Sequence, residues 1–188
     1  YSIQSLVCSF SGGKDSLVAT HHVYSETEDL GIDRYVVHAD TTVMLPGNLD
    51  FVKKVCHDFG WCLQIVTPRV DFWTEVRNGM PMPTMFRRWC CGKLKLEPIH
   101  DFVKNLPPQR AEATGLRRDE SIRRRKLPEV FFLKKSWVWK WAPILEWSEK
   151  KVLRYIREYD LPMPPHYAMG LKETCMCGAF NNKNQMMI

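Results

Sequence analysis

The sequence predicts an α/β protein in which a doubly wound, mainly parallel five-stranded sheet carries helices on both faces. Two observations predict this fold: short apolar runs that end at glycine or aspartate turns, and stretches with apolar residues at helical spacing that follow them. The runs and stretches alternate along the chain, which is typical of parallel strands joined by crossover helices. In such sheets ligands bind at the carboxyl ends of the strands, so we expect a site at those turns.

The first two strand–helix units follow each other directly. An apolar run from Ile3 to Phe10 ends at a Ser-Gly-Gly turn, and Ser16 to Glu26 then suits a helix. A second run, Tyr35 to Val37, ends at an Asp-Thr-Thr turn, and Asn48 to Phe59 carries apolar residues at helical spacing. The two units therefore predict neighbouring parallel strands.

Three more strands and two more helical regions complete the predicted fold. Leu63 to Val66 is the third strand, Arg110 to Thr114 the fourth and Val130 to Leu133 the fifth. A helical region from Arg87 to Leu106 separates the third strand from the fourth, and Glu149 to Tyr159 forms the last helix. Prolines then exclude helix from the start of the tail.

The chain is long enough for one domain with its own core. We expect an α/β domain over residues 1–160 and a C-terminal tail over 161–188 that packs on the same domain. The loop from Asn78 to Met85 contains glycine and prolines that exclude regular structure, and its methionines suit an adaptable flap over a ligand. An ordinary surface loop is the alternative.

The composition limits the class of protein. Apolar residues make up 45% of the 188 residues, and no run reaches the ~18 apolar residues of a membrane span. The start has no secretory signal, so we expect a soluble cytoplasmic chain without a membrane partner. Tyr1 and the last residues look like cut ends, and we expect further sequence on both sides. The net charge of +6 favours an anionic partner such as a nucleotide or nucleic acid.

The turn after the first strand has the composition of a phosphate site. Residues 9–16 read Ser-Phe-Ser-Gly-Gly-Lys-Asp-Ser, between an apolar strand and a helix. Backbone N–H groups and the positive end of the helix converge there. The paired glycines let the backbone approach a ligand closely, the three serine hydroxyls can donate hydrogen bonds, and Lys14 adds a positive charge. A purely structural turn, the alternative, needs only the glycines.

This loop resembles the PP-loop of the ATP pyrophosphatase family, whose signature Ser-Gly-Gly-x-Asp-Ser is matched in full from Ser11 to Ser16. Members of that family cleave ATP between the α and β phosphates, so the resemblance implies that ATP binds here with Mg²⁺. It also implies that Lys14 and Asp15 are catalytic, with Asp15 positioning the Mg²⁺ or the loop. The loop residues that the resemblance places on the nucleotide are Ser9, Ser11, Gly12, Gly13, Lys14, Asp15 and Ser16.

From about Leu6 to Cys177 the chain resembles the phosphoadenosine-phosphosulfate (PAPS) reductase branch of the PP-loop superfamily, which has the adenine nucleotide alpha hydrolase-like fold. The matching segments are Asp40-Thr41, then Arg88-Trp89-Cys90-Cys91 with Lys95, and then Gly115-Leu116-Arg117-Arg118-Asp119-Glu120-Ser121 with Arg124. The resemblance implies that residues 1–160 bind an adenine nucleotide and that Lys95 is catalytic. It adds these residues to the nucleotide site: Asp40, Thr41, Gly115, Arg117, Arg118 and Arg124.

A basic segment and an aromatic segment each suggest a ligand without reference to the family resemblance. Six basic residues lie between Arg117 and Lys126, and guanidinium groups bind phosphate or sulfate oxygens bidentately. A solvated charge run is the alternative. Farther along, Trp137, Trp139 and Trp141 alternate beside lysines. They either stack on nucleic-acid bases or pack into the core as one face of a strand.

Four of the seven cysteines form two close pairs, Cys90-Cys91 and Cys175-Met176-Cys177, which suggests metal ligation. In the reductase branch a Cys-Cys pair and a later Cys-x-x-Cys hold a 4Fe–4S cluster, so the resemblance implies one here, with Lys95 offsetting its negative charge. The second pair is Cys-x-Cys, one residue short, so zinc, a disulfide, incomplete ligation and no metal stay open. We expect the other cysteines to be buried: Cys8, Cys56 and Cys62.

Three functions are compatible with these residues. The first is an ATP-dependent enzyme that adenylates a substrate oxygen, releases pyrophosphate and lets sulfur replace that oxygen. The acceptor is a nucleic acid, as in PP-loop thiolation enzymes of tRNA or DNA, or a small molecule, and a sulfur donor protein is a further partner. The second is reduction of adenylyl sulfate or PAPS to sulfite, which in those reductases uses a cysteine in a C-terminal Glu-Cys-Gly-Leu-His. No cysteine follows Cys177. The third is a non-catalytic nucleotide- or nucleic-acid-binding module. We favour the first because the loop is complete and carries Lys14.

Overall fold

A computed structural model describes residues 3–134, 136–177 and 179. Its strands form one sheet, and their bounds in chain order are Ser5–Ser9 (β1), Asp33–Ala39 (β2), Leu63–Val66 (β3), Arg110–Thr114 (β4), Val130–Leu133 (β5) and Val138–Trp141 (β6). The strand order is β3-β2-β1-β4-β6-β5. All pairings are parallel except β5 with β6.

The predicted fold class is confirmed, but the sheet has six strands rather than five. The added strand is β6, which contains two of the alternating tryptophans and pairs with β4 in parallel. It forms an antiparallel hairpin with β5, so the sheet ends in a two-stranded ribbon whose outer strand is β5. The sequence analysis considered one face of a strand as an alternative for the alternating tryptophans, but it did not include that strand in the sheet.

The helices lie on both faces of the sheet. Their bounds are Lys14–Glu26 (α1), Asn48–Asp58 (α2), Phe72–Arg77 (α3), Glu97–Lys104 (α4), Glu149–Glu158 (α5) and Pro165–Ala168 (α6). A core that includes Leu6, Cys8 and Val36 of the strands joins one face to α1, α2 and α5. On the other face Val7 and Val37 pack against α4. Each such buried side chain contributes about 1.5–3 kcal/mol.

Four helices differ from the sequence prediction. The short helix α6 lies in the tail and was not predicted; its first residue is Pro165, a position where proline is tolerated. The first helix begins at Lys14, two residues before the predicted Ser16, so the loop lysine is its first residue. The short helix α3 was not predicted; it is capped by Asp71, whose carboxylate accepts from the Thr74 N–H at 3.0 Å. The region predicted as a helix from Arg87 contains a π-helical segment, Cys91–Leu96, ahead of α4.

The tail returns to the sheet by pairing with the loop after β2. The Leu45 N–H donates to the Thr174 carbonyl at 3.1 Å, and the Met176 N–H donates to the Val43 carbonyl at 2.8 Å. This short antiparallel bridge holds the Cys-x-Cys segment beside the carboxyl end of β2. Residues 178 and 180–188 of the predicted tail lie outside the described residues. No helix in the described part of the chain is both long enough and apolar enough to cross a membrane.

Candidate nucleotide and cysteine site

A cavity of about 970 Å³ opens at the carboxyl ends of β1, β2 and β4. Most of the residues predicted from the sequence line it: Ser9, Ser11, Gly13, Lys14, Asp15, Ser16, Thr41, Cys90, Cys91, Lys95, Gly115, Arg117, Arg124, Cys175 and Cys177. Three predicted residues are not among its lining residues: Gly12, Asp40 and Arg118. The tertiary structure therefore brings the loop, the arginine segment and both cysteine pairs to one hollow.

The loop from Ser11 to Ser16 is held by its own hydroxyl groups. The Ser16 hydroxyl donates to the Gly13 carbonyl at 2.9 Å and accepts from the Ser11 N–H at 3.2 Å. The Ser9 hydroxyl donates to Glu112 at 2.9 Å. The hydroxyls predicted to donate to a phosphate thus donate within the protein in this structure. The Lys14 ammonium group, which lines the cavity, is the donor of this loop that we assign to an anion.

Gly12 has a conformation and a neighbour that exclude a side chain. Its φ is +83°, in the left-handed region that favours glycine. A Cβ there would lie 2.4 Å from Oδ1 of Asn48. Asn48 is buried at the start of α2, and its amide nitrogen donates to the Ser11 carbonyl at 3.1 Å. Gly12 therefore shapes the loop from behind, which is why it does not line the cavity.

Charged groups of both signs meet at the start of α1. The Lys14 Nζ lies 2.9 Å from Asp15 and 3.3 Å from Glu149, and Nε of Arg117 lies 2.6 Å from the other oxygen of Asp15. Burial lowers the pKa of Lys14, but the hydrogen bond and charge of Asp15 outweigh it, so the pKa is raised. Lys14 is therefore a permanent cation, and both oxygens of Asp15 hold the loop cations in place.

A tail residue reaches the mouth of the loop. The ring of Tyr167 lies beside Lys14, with Nζ 5.5 Å from the ring centroid. The Tyr167 hydroxyl accepts a hydrogen bond from the backbone N–H of Lys14. One of the amides at the start of α1 is thus satisfied by the tail, and a phosphate that used this amide would have to displace the tyrosine.

Gly115, the residue after β4, packs against the backbone at the start of α1. A Cβ on it would lie 2.7 Å from three backbone atoms of Asp15 and Ser16. Because these atoms belong to the first turn of α1, they cannot move without moving the loop. No side chain larger than hydrogen fits here.

We expect Gly115→Ala to destabilise the protein by about 1–3 kcal/mol through this clash. For a chain of this size the corresponding fall in the thermal unfolding midpoint is roughly 2–12 °C. Gly92→Ala is the matched control, because a Cβ on Gly92 meets nothing within 4 Å. Thermal unfolding followed by circular dichroism gives both midpoints, and equal midpoints for the two variants would contradict the close approach.

The arginine segment divides into residues that face the cavity and residues that do not. Arg117 is 4% exposed and binds Asp15, and Arg124 lines the cavity in an ion pair with Glu120. Arg118 instead forms an ion pair with Glu146 at 3.0 Å and donates to the Leu127 carbonyl. Asp40 accepts from the Thr42 N–H at 3.0 Å. Their nucleotide roles stay predictions.

The four paired cysteines meet in one hydrogen-bonded cluster. The Sγ atoms of Cys175 and Cys177 lie 3.5 Å apart, and Cys90 is hydrogen-bonded to both Cys91 and Cys177. Hydrogen bonds from Cys175 and Cys90 hold the pKa of Cys177 well below that of a free thiol. The hydrogen bond of Cys90 and the positive charge of Lys95 lower the pKa of Cys91 to about 7, although burial opposes them.

The cluster has the donor set of a thiolate site. Cys91 begins the π-helical segment, a distortion that is frequent at functional sites, and Lys95 lies within it. Among the residues that the structure describes, no three histidine, cysteine, aspartate or glutamate side chains are arranged around one metal ion. The iron–sulfur cluster and zinc both stay predictions.

The lining of the cavity decides one further prediction, and the exposure of side chains decides two more. None of residues 78–85 lines the cavity, so the Asn78 to Met85 segment is a surface loop here rather than a flap. Cys62 is exposed, contrary to prediction, because it precedes the edge strand β3. Trp137 and Trp139 are also exposed, so the core-packing alternative does not hold for these two tryptophans.

Three residues at the site were not predicted as functional by the sequence analysis. Glu112 of β4 and Lys140 of β6 form a buried ion pair on the cavity wall, and Glu112 also accepts from Ser9. The signal was a charged residue in the middle of each short strand, but their pairing depends on the β4–β6 register. Asn48, behind the loop, was predicted only as the start of a helix.

Comparison with known sequences gives a consistent result. A family model described as the phosphoadenosine phosphosulfate reductase domain matches residues 5–175. A phosphoadenosine 5'-phosphosulfate reductase of Zymomonas mobilis is 29% identical over 87% of this chain. The chain spans 66% of that relative's length and 41% of the length of another curated relative.

Solved structures agree on the fold. A PAPS reductase from Candida auris, in a phosphate complex, matches with a TM-score of 0.68 and 24% identity, over 90% of this chain and 79% of that one. The U34-tRNA thiolase NcsA from Methanococcus maripaludis, with its 4Fe–4S cluster, matches with a TM-score of 0.68 and 15% identity. That match covers 99% of this chain and 64% of the thiolase.

Proposed function

Within the phosphoadenosine phosphosulfate reductase domain family, to which the chain belongs, we propose that this chain binds ATP and cleaves it between the α and β phosphates. The cleavage transfers the AMP group to an acceptor oxygen and releases pyrophosphate. A sulfide-level sulfur from the donor then bonds to the acceptor atom and displaces AMP, which carries the original oxygen away. The observation that carries this proposal is Lys14, the first residue of α1, in a complete Ser-Gly-Gly-Lys-Asp-Ser loop that opens into the cavity.

The loop supplies what a leaving pyrophosphate needs. Negative charge that develops on the leaving group is stabilised by fixed N–H groups, by the positive end of a helix and by a cation. Lys14 is fixed by Asp15 and Glu149, and Glu149 is largely exposed, so its oxygen can be replaced by a phosphate oxygen. In this proposal Asp15 positions Lys14 and Arg117, and Mg²⁺ enters with ATP.

The remaining predicted partners fit the same cavity. We assign an adenine nucleotide to the loop, with Thr41, Gly115, Arg117 and Arg124 around it. The acceptor is a nucleic acid, tRNA or DNA, and a sulfur donor protein supplies the sulfur. The net charge of +6 supports a nucleic-acid acceptor.

The cysteine cluster fits an iron–sulfur group by its donor set. Cys90, Cys91, Cys175 and Cys177 would hold a 4Fe–4S cluster, which needs four thiolates, and such a cluster can bind sulfur or exchange electrons when present. Mutual hydrogen bonds favour thiolates at Cys91 and Cys177. Lys95 adds a positive charge beside Cys91 and offsets the negative charge of the ligands.

Reduction of a sulfonucleotide is the second candidate, and the curated reductases among the relatives favour it. The two candidates differ in their substrates and products. Incubation with ATP and Mg²⁺ should release pyrophosphate if the first is correct. Incubation with adenylyl sulfate or PAPS and a thiol reductant should release sulfite if the second is correct. Tight nucleotide binding without release of pyrophosphate or sulfite would favour the third candidate, a non-catalytic binding module.

Replacing Arg117 with alanine is expected to weaken ATP binding by about 1–3 kcal/mol, because a charged hydrogen bond is lost and Asp15 is left with one partner. The side chain is almost fully buried beside the loop. Isothermal titration with a non-hydrolysable ATP analogue measures the loss. Arg154→Ala, on the exposed side of α5, is the control. Equal affinities for both variants would show that Arg117 does not contribute to ATP binding.

A further inference from the structure

The excess positive charge of the chain is confined to one stretch. Residues 117–140 contain nine basic and three acidic residues, a surplus of six, which equals the net charge of the whole chain. The rest of the sequence is therefore neutral. The stretch comprises the arginine segment, which reaches the cavity through Arg117 and Arg124, and most of the β5–β6 hairpin.

Three aromatic rings stand on the outer side of this hairpin. Phe132, Trp137 and Trp139 are 36%, 71% and 48% exposed. The Phe132 ring contacts both tryptophans edge to face, with centroids 5.6 Å from Trp137 and 5.2 Å from Trp139. The alternate residues Val138 and Lys140 are buried. The rings therefore form one aromatic patch rather than three scattered side chains.

Trp137 is held in a conformation that tryptophan disfavours. Its φ is +47°, in the left-handed region, at the turn between the two strands. A bulky residue rarely adopts this conformation, because its side chain makes the left-handed region less favourable than it is for glycine. The cost is not offset by burial, because the ring is the most exposed of the three. A strained, exposed tryptophan is better explained by contact with a ligand than by packing.

We propose that the aromatic patch, with the basic residues around it, binds an unpaired segment of a nucleic acid. Bases stack on exposed aromatic rings whatever their sequence, and lysine or arginine side chains bind the phosphates between them. Exposed cations flank the rings on both sides along the chain, Arg125 and Lys126 before β5 and Lys134 after it. The charge favours a polyanion over a second copy of this chain, which carries the same surplus.

The position of the patch suits the acceptor of the proposed function, on which this inference rests. β5 is an edge strand, and within the part of the chain that the structure describes no further strand pairs with it. Phe131 and Leu133, which alternate with Phe132, line the cavity. A nucleic acid stacked on the outer side of the hairpin can thus pass around the edge strand and present one nucleotide to the cavity.

The test is binding of labelled oligonucleotides of about 12 nucleotides to the full chain, followed by fluorescence anisotropy at several salt concentrations. Oligouridine, oligothymidine and a duplex of equal length are compared. We expect both single strands to bind more tightly than the duplex. Trp139→Ala should weaken single-strand binding at least fivefold, and Lys134→Ala should reduce the salt dependence of log K by about 0.7.

Trp73→Ala is the matched control, because Trp73 is 53% exposed but lies outside residues 117–140. Trp139→Tyr keeps a stacking ring and should retain the affinity, which separates lost stacking from lost folding. Equal losses for Trp73→Ala and Trp139→Ala, tighter binding of the duplex, or no binding by the wild type at low salt would overturn the proposal. Pyrophosphate release from ATP, measured on the wild type without oligonucleotide, reports the proposed function separately.

Discussion

Replacing Lys14 with alanine is expected to lower the rate of pyrophosphate release from ATP by about 10²–10³-fold. Removal of one fixed donor to a developing negative charge has effects of this size in other enzymes. Lys14 is buried at the first turn of α1. Arg117, the other cation beside Asp15, binds the opposite oxygen of that carboxylate. The measurement is single-turnover release of pyrophosphate with ATP and Mg²⁺.

The controls separate catalysis from folding. Lys14→Ala leaves Asp15 paired with Arg117, so the loop keeps one of its ion pairs and we expect a folded protein. Lys54→Ala removes an exposed lysine of α2 and should leave the rate unchanged. Asp15→Ala should also lower the rate, because Lys14 and Arg117 lose their shared partner. An unaltered rate for Lys14→Ala would contradict the assignment of the loop to the pyrophosphate end of ATP.

Loss of any one cysteine of the cluster is expected to abolish its metal content, and Cys91→Ala is the sharpest case. The wild type, purified without oxygen, should be brown and contain about four iron and four sulfide ions per chain. Cys91 is the least buried of the first pair, so alanine there removes one thiolate with little loss of packing. Iron analysis and visible absorption measure the outcome, and ATP binding should be largely retained.

Cys62→Ala is the matched control, because Cys62 is an exposed cysteine outside the cavity lining. It should keep the colour and the iron. A wild type that contains zinc would show that the Cys-x-Cys spacing selects a single ion. A wild type that contains no metal under anaerobic conditions would contradict the metal site and leave four free thiols, among which the Sγ atoms of Cys175 and Cys177 lie 3.5 Å apart.

The sequence was a good guide to the elements that local patterns define. The first strand, the loop and the helix after it are found where the periodicity placed them, although β1 is three residues shorter than the predicted run and α1 begins two residues earlier. The missed elements α3, α6 and β6 are six, four and four residues long. Segments this short are stabilised by their neighbours in space more than by their own residues, so their own pattern predicts only some of them, as it did β3 and β5.

The part of the candidate site formed by one short motif was predictable from the sequence. The part formed by residues on two neighbouring strands was not. The residues of the Ser11 to Ser16 loop are adjacent in sequence, so their types and order already predict a phosphate site. The Glu112–Lys140 ion pair depends on which residues face each other across β4 and β6. Arg118 and Arg124 look alike in the sequence, yet only Arg124 lines the cavity, because Glu146 and the Leu127 carbonyl hold Arg118 elsewhere.

By itself the sequence determined the α/β fold class, the Ser-Gly-Gly-Lys-Asp-Ser loop between the first strand and helix, and the presence of two cysteine pairs, because each depends on residues that are close together in the chain. Only the tertiary structure decided that the pairs meet. Hydrogen bonds between the tail and the loop after β2 bring Cys175 and Cys177 against Cys90 and Cys91. Contacts between distant segments depend on the packing of the whole core, and no short pattern encodes them.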